Sequence, residues 1–353
     1  MSARPQLDAQ AEPTLADKVA FLSRAEVYAH PVDTVTCRET HMSWVFLAGD
    51  KVYKLKKPVR FPYLDFSTCA RREAMCRAEF SLNRRLAADV YIGVVPLVVS
   101  GHGLSLGGAG TVVDWLVVMN RLDERWSLEQ LINSRALEPM QLQRLVMTLA
   151  RFYRRARPVL ISPAAHLSEW SRNLALNRSV LLDPRLGLPA RLVRRVDRVL
   201  ARFLTERRGT LVERVRRRRI VDGHGDLRPE HIWLNDHVRI IDCLEFNARL
   251  RAIDPLDEVA FLTLECERLG APWAGQYIRT GIERRLREQA PSELFLFYRA
   301  YRALLRARLA IAHLLDAHPR TPEKWPRQAR AYLAIAARDA RKLERCLRKR
   351  RGQ

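Results

Sequence analysis

Residues 220–242 constrain this chain more than any other stretch: they read as strand, loop, strand inside a region whose apolar spacing is otherwise helical. From Asn120 onward apolar side chains recur near every 3.6 residues, which predicts helices over 127–133, 138–157, 190–207, 255–269, 273–288, 291–316 and 325–348. Before Asn120 the texture differs. A helix is expected over 14–29, a hairpin from 43–47 and 51–56 around Gly49 and Asp50, a helix over 67–88, and a second hairpin from 93–99 and 111–119 around the glycine-rich turn 101–110. That turn joins two strands and opens no helix, so it reads as a turn and not as a phosphate cradle. The class is α+β. A strand-loop-strand island on a helical scaffold is where loops hold a site.

The length, 353 residues, suggests two lobes, a strand-bearing 1–120 and a helical 121–353 that carries the loops of 220–260. With 48% hydrophobic and 29% charged residues the chain is an ordinary globular one. No run nears the roughly 20 apolar residues of a membrane-spanning helix. Lys and Arg number 62 against 39 Asp and Glu, and the net charge of +23 asks for an anionic partner: nucleic acid, a membrane surface or a phosphorylated substrate. Arginine carries most of that charge, yet four of the eight lysines, Lys51, Lys54, Lys56 and Lys57, fall within seven residues of one strand. A compact ammonium there points to a task a guanidinium cannot perform. The six cysteines form no C-x-x-C pair, and residues 1–8 contain no apolar segment, so reduced thiols and a cytoplasmic protein are expected.

The island carries His224-Gly225-Asp226-Leu227-Arg228, then a second aspartate, Asp242, after the next strand. Phosphoryl transfer from ATP needs a carboxylate at the attacking hydroxyl, another on the magnesium that bridges the phosphates, and a cation on the phosphates. A strand lysine paired to a helix glutamate is the kinase form of that cation. Lys54 or Lys56 followed by Glu79, with Glu73 the weaker choice, supplies it in the right chain order.

On these residues the chain resembles the aminoglycoside phosphotransferase-like branch of the protein-kinase-like fold, in which His-Gly-Asp takes the place of His-Arg-Asp. Residues 39–47, 52–59 and 61–68 bring it close to an uncharacterised bacterial group of predicted kinases. The resemblance implies a bilobal fold with a small antiparallel-sheet N-lobe and a larger helical C-lobe. It implies an ATP-dependent, Mg2+-requiring phosphotransferase that moves the γ-phosphate to a hydroxyl of a small molecule. By matching position Asp226 would be the catalytic base, with His224 and Arg228 beside it. Asp242 would bind the metal, and Lys54 or Lys56, anchored by Glu79, would hold the nucleotide phosphates. Met119 to Leu122 would meet adenine. Asp254 of Asp254-Pro255-Leu256-Asp257 would brace the catalytic loop, and Asp257 would cap the next helix.

Three departures alter the expected site. His231 stands where a second metal ligand is normally Asn, and imidazole suits magnesium poorly. Glu245, in Cys243-Leu244-Glu245-Phe246, is a candidate compensating carboxylate. The nucleotide-covering loop has no glycine cluster, only Thr40-His41-Met42-Ser43, so the Thr40 and Ser43 hydroxyls would approach phosphate. A catalytically weak kinase-fold binding module is therefore the alternative reading. Arg214 with Arg216 to Arg219 reads as a solvated helix end, and Arg299, Arg302 and Arg306 share a helix face that would suit an anionic small molecule. Nucleic acid is a third, less favoured partner, since no nucleic-acid motif accompanies the charge. His41, His102, His166, His313 and His318 lack a partner pattern and are expected to be structural or solvated.

Overall fold

The computed structural model describes residues 12–61, 64–288, 291–316 and 321–349; residues 1–8 and His318, on which expectations were placed above, lie outside them. The chain divides into two compact units, the first made of residues 1–123 and 239–247, the second of 124–238 and 248–353. The division read from sequence kept 239–247 with the helices, whereas that segment packs with the sheet.

In the first unit α1 (Leu15–Leu22) starts from a Thr14 capping box with Asp17. It is followed by β1 (Val35–Glu39), β2 (Ser43–Ala48), β3 (Lys51–Lys56), β4 (Arg60–Phe61) and β5 (Leu64–Asp65). Then come α2 (Cys69–Asn83), β6 (Tyr91–Ser100), β7 (Gly103–Leu106) and β8 (Thr111–Asn120). Six strands form one antiparallel sheet in the order β1-β2-β3-β8-β6-β7. The glycine-rich segment thus holds an edge strand, β7, that was expected to be turn. Leu104 and Leu106 pack on the apolar cluster under the sheet and explain it. Gly49 turns β2 into β3 at φ +58°, and a Cβ there would lie 2.9 Å from the Pro31 carbonyl oxygen.

The inner face of α2 is polar. Its buried residues are Arg72, Cys76, Glu79 and Asn83, a stripe at helical spacing in which every polar group has a partner on a neighbouring segment or on α2 itself. Arg72 Nε donates to Asp114 Oδ1 at 2.7 Å, and Lys18 Nζ of α1 reaches Asp114 Oδ2 at 2.9 Å, so one buried carboxylate of β8 fastens both helices to the sheet.

The second unit contains α3 (Leu128–Asn133), α4 (Pro139–Arg155), α5 (Pro163–Leu181), α6 (Ala190–Glu206) and α7 (Arg208–Arg216). The island follows as β9 (Val221–Asp222), β10 (Ile232–Leu234) and β11 (Val238–Ile240), the last running into 239–247. After α8 (Ala248–Arg251) and β12 (Ala252–Ile253) the chain ends in α9 (Pro255–Arg268), α10 (Pro272–Leu286), α11 (Ser292–Ala312) and α12 (Lys324–Lys349). Three helices escaped the sequence reading, α5, α7 and the four-residue α8. In α5 the buried stripe is His166, Trp170, Leu174, Asn177 and Leu181, so two polar residues stand where apolar periodicity was sought. Trp170 nonetheless packs on Phe297 with ring centroids 5.1 Å apart, and Phe297 stacks on Phe203 at 4.4 Å.

The shared face of Arg299, Arg302 and Arg306 is turned inward, which corrects the expected open basic face. Arg299 Nε donates to Asp339 at 2.8 Å, Arg302 grips Asp257 at 2.8 and 2.7 Å, and Arg306 lies 3.2 Å from Glu265. These arginines brace α11 against α9 and α12, so they no longer argue for an anionic substrate. The run near Arg214 is mixed: Arg214 is buried on Asp254 at 2.6 Å, while Arg216, Arg217 and Arg218 are exposed. No helix among the described residues is long and apolar enough to cross a membrane, and all six cysteines are free thiols.

Candidate active site

In the first unit the side-chain alternation of β3 sends Tyr53 and Leu55 into the apolar cluster shared with α1. Lys54 and Lys56 lie on the opposite face, toward α2. Lys54 Nζ donates to Glu79 Oε1 and to Asp242 Oδ1, both at 2.8 Å. Lys56 Nζ donates to Glu79 Oε2 at 2.6 Å and to Glu245 Oε1 at 2.5 Å. Two ammonium groups and three carboxylates therefore form one chain, with Glu79 at its middle. Exposure separates the two lysines: the Lys56 side chain is 1% exposed, that of Lys54 is 16%, and that of Asp242 is 44%. Lys54 and Asp242 are the members that a solute can reach.

Burial opposes the charge on Lys54, yet Asp242 and Glu79, helped by Glu245 and Tyr91, hold it well above the ordinary lysine value. Lys56 is raised in the same way by Glu245 and Glu79 against its burial. Burial alone would raise Glu79, but Lys54 and Lys56 outweigh it and keep that carboxyl below the usual range. Burial pushes Glu245 up against the pull of Lys56, and the neighbouring Glu79 charge adds to the rise. The two lysines therefore predict unequal phenotypes. Lys56→Met strands Glu79 and Glu245 without their shared cation and is expected to cost about 3–5 kcal/mol of stability. Lys54→Met should cost much less, because Lys56 still neutralises Glu79; urea unfolding of the two variants measures the difference.

The segment 239–247 is tied to α2 and the sheet at several points. Asn83 Oδ1 accepts from the Cys243 amide at 2.9 Å, the Asp242 amide donates to the Tyr91 hydroxyl at 3.3 Å, and Arg239 Nε reaches Asp89 at 2.7 Å. Asp242 itself adopts φ +62°, a left-handed conformation that Asp tolerates better than most residues and that such a web can hold.

In the second unit the loop after β9 is built on two glycines and one buried acid. Gly225 takes φ +89°, and a Cβ on Gly223 would lie 2.5 Å from Ile253 Cγ2 and 3.1 Å from Glu258 Oε2. Glu258 of α9, fully buried, accepts from the His224 amide at 3.0 Å, the Gly225 amide at 2.5 Å and the Tyr153 hydroxyl at 2.8 Å. Its carboxyl is raised by burial despite those hydrogen bonds. His224 is buried, and its Nδ1 accepts from the Asp226 amide at 3.3 Å. Arg228 holds Asp226 Oδ2 through Nε at 3.0 Å and Nη2 at 2.9 Å, and also pairs with Glu230. His231 Nδ1 lies 2.9 Å from the Asp226 carbonyl oxygen, which can only accept, so Nδ1 carries the proton and Nε2 accepts from Arg228 Nη2 at 3.1 Å.

Two curated relatives, uncharacterised proteins of Mycobacterium tuberculosis and Mycobacterium bovis, are each 34% identical to this chain over 300 residues. Each alignment takes in 82% of this chain and 58% of the relative, so the chain spans little more than half the length of the curated relatives it matches. No protein-family model matches the chain. Among solved structures, a thermostable mutant of an aminoglycoside phosphotransferase in its apo form aligns with a TM-score of 0.51 at 12% identity, over 88% of this chain and 95% of that one. A choline kinase from Cryptosporidium parvum aligns with a TM-score of 0.51 at 9% identity, over 88% and 89%. The fold is the protein-kinase-like one.

Within this kinase-like fold the structure gives the remaining sequence candidates the following partners. Asp254 does not brace the loop: it caps α9 by accepting from the Leu256 amide at 2.9 Å and is held by Arg214 and by the Tyr298 hydroxyl at 2.9 Å. Asp257, expected as the cap, is buried on Arg302, and the bracing acid is its neighbour Glu258. Both ring nitrogens of His231, expected as a metal ligand, are engaged within its own loop, and Glu245, the other expected ligand, is buried on Lys56. Glu73 pairs with Arg77 on the exposed side of α2. Thr40 Oγ1 accepts from the Ser43 amide at 2.9 Å and closes the β1–β2 turn, and Ser43 is buried. Met119 of β8 is buried beside Cys76, Val117 and Tyr91. Sequence pattern assigns no role to Glu258, Asn83 or Tyr91; the spacing of Glu258, four residues after Asp254, is its one signal.

Proposed function

We propose that this chain is an ATP-dependent phosphotransferase that moves the γ-phosphate to a hydroxyl of a small molecule. The observation that carries the reading is Lys54, bonded at once to the buried Glu79 and to the solvent-accessible Asp242. Glu79 fixes the lysine on its strand, so its ammonium is presented as a ready cation for phosphate oxygens. Lys56, buried on the same carboxylate, is its structural partner and not a second phosphate ligand. Asp242 offers carboxylate oxygen, the donor magnesium prefers, whereas His231 and Glu245 are committed elsewhere; Asp242 would hold Mg2+, which would supply positive charge to the phosphate groups.

Asp226 would accept the proton of the acceptor hydroxyl at its carboxylate. Arg228 orients that carboxylate by two contacts on Oδ2, His231 holds the residue's carbonyl, and Glu258 fixes the preceding backbone. The fold of the aminoglycoside phosphotransferase and choline kinase structures supports this class of acceptor without naming one. His231 favours a second reading, a module that binds nucleotide and turns it over poorly, because no second metal ligand is offered at that position.

Thermal unfolding with and without ATP tests the proposal, each with Mg2+, Mn2+ or chelator. The midpoint of wild type should rise only with nucleotide and metal together, and that of Asp242→Asn should not. ADP release against a panel of hydroxyl acceptors then separates the two readings. No shift under any condition would sink both.

A further inference from the structure

We propose that the groove between α6 and α12 binds the phosphate backbone of a nucleic acid without regard to sequence. This inference stands apart from the phosphotransferase reading, and it concerns only the second unit.

Arg191, Arg194, Arg195 and Arg198 are exposed on one face of α6 and, with Val199 and Glu344, line a groove of about 480 Å³. On α12, which lines the groove through Glu344, Arg341, Lys342, Arg345 and Arg348 are also exposed. The two helices thus expose these eight cations, and the groove itself holds a single carboxylate. Glu344 is shared by Arg195 at 3.3 Å and Arg348 at 2.9 Å. Among the described residues the other six make no ion pair. The contrast with α11 is direct, because there Arg299, Arg302 and Arg306 each meet an acid.

Arg191 with Arg195, Arg194 with Arg198, and Arg341 with Arg345 are like-charge pairs four residues apart, an arrangement that destabilises a free helix. An anion from outside the chain would relieve that repulsion. The cations on each helix span eight residues, roughly 10 Å over seven rises of 1.5 Å, which is too long for one phosphate group and suits a polymer carrying one charge about every 1.7 Å. Guanidinium forks match phosphate oxygens in pairs. A lipid surface fits less well: Val193, Val196, Leu200 and Phe203, the apolar side of α6, are buried in the core, so that helix offers no apolar face to enter the acyl layer.

The test measures fluorescence anisotropy of a labelled random-sequence duplex of about 20 base pairs, titrated with the whole chain at several salt concentrations. Phosphatidylserine vesicles and polyglutamate serve as the other polyanions. The duplex should bind most tightly, with affinity falling at a log-log salt slope of about −5 or steeper. The triple variant Arg191→Gln/Arg194→Gln/Arg198→Gln should lose about tenfold or more in affinity and about three from the slope. The control Arg216→Gln/Arg217→Gln/Arg218→Gln should change affinity less than about twofold. The thermal midpoint of the groove variant should hold or rise, since repulsion has been removed. Equal weakening by both triples, no effect of the groove triple, or tighter binding to vesicles or polyglutamate would each overturn the proposal.

Discussion

Asp226→Asn is expected to lower the rate of phosphoryl transfer by about 10²–10⁴ while leaving nucleotide and metal binding in place. Asparagine keeps the size of the side chain and one oxygen for Arg228, so the loop should hold its shape. The residue is partly exposed, with a side chain 22% accessible, and its pair with Arg228 is backed by the second acid Glu230. Loss of the pair should therefore cost about 1 kcal/mol or less. The measurement joins single-turnover ADP formation with the ATP-dependent midpoint shift. A variant that retained full turnover would remove Asp226 from the chemistry.

Arg302→Met is expected to show the largest loss of stability outside the site, about 3–5 kcal/mol. Arg302 meets Asp257 through two bonds of 2.8 and 2.7 Å, and both residues are buried. Burial already pushes the Asp257 carboxyl above its ordinary value in spite of the guanidinium. Without the guanidinium it must rise further. The folded form then binds a proton that the unfolded chain releases above about pH 4, so stability falls as pH rises through that window. The deficit should be smaller at pH 5 than at pH 8, and urea unfolding at the two values checks the sign. The double variant Arg302→Met/Asp257→Leu should recover much of the loss, because the buried charge is gone.

The outcome for Arg302 illustrates where sequence reasoning stops. Spacing showed that Arg299, Arg302 and Arg306 share a helix face, but periodicity says nothing of what stands opposite that face. Here the answer is Asp339, Asp257 and Glu265 on other helices. The same limit hid Glu258, whose role depends on two backbone amides many residues away in the chain. Local grammar did better. Alternation in β3 placed Lys54 and Lys56 on one face, and chain order grouped them with Glu79 and Asp242, which lie within hydrogen-bonding reach. The helix α5 was lost because His166 and Asn177 occupy places on its buried stripe, and a search for apolar recurrence skips such a helix.

The polar inner face of α2 fixes a length. Arg72, Glu79 and Asn83 are bound to Asp114, to the two lysines and to the Cys243 amide, three separate parts of the first unit. One residue added to or removed from the interval between them would turn the later part of the helix by about 100° and carry Glu79 and Asn83 off their partners together. Homologous chains that keep this chemistry should therefore conserve the count from Arg72 to Asn83 more strictly than the identities of the exposed residues between them. The β6–β7–β8 edge, where Gly103, Gly107, Gly108 and Gly110 all adopt positive φ, is where gaps should accumulate instead.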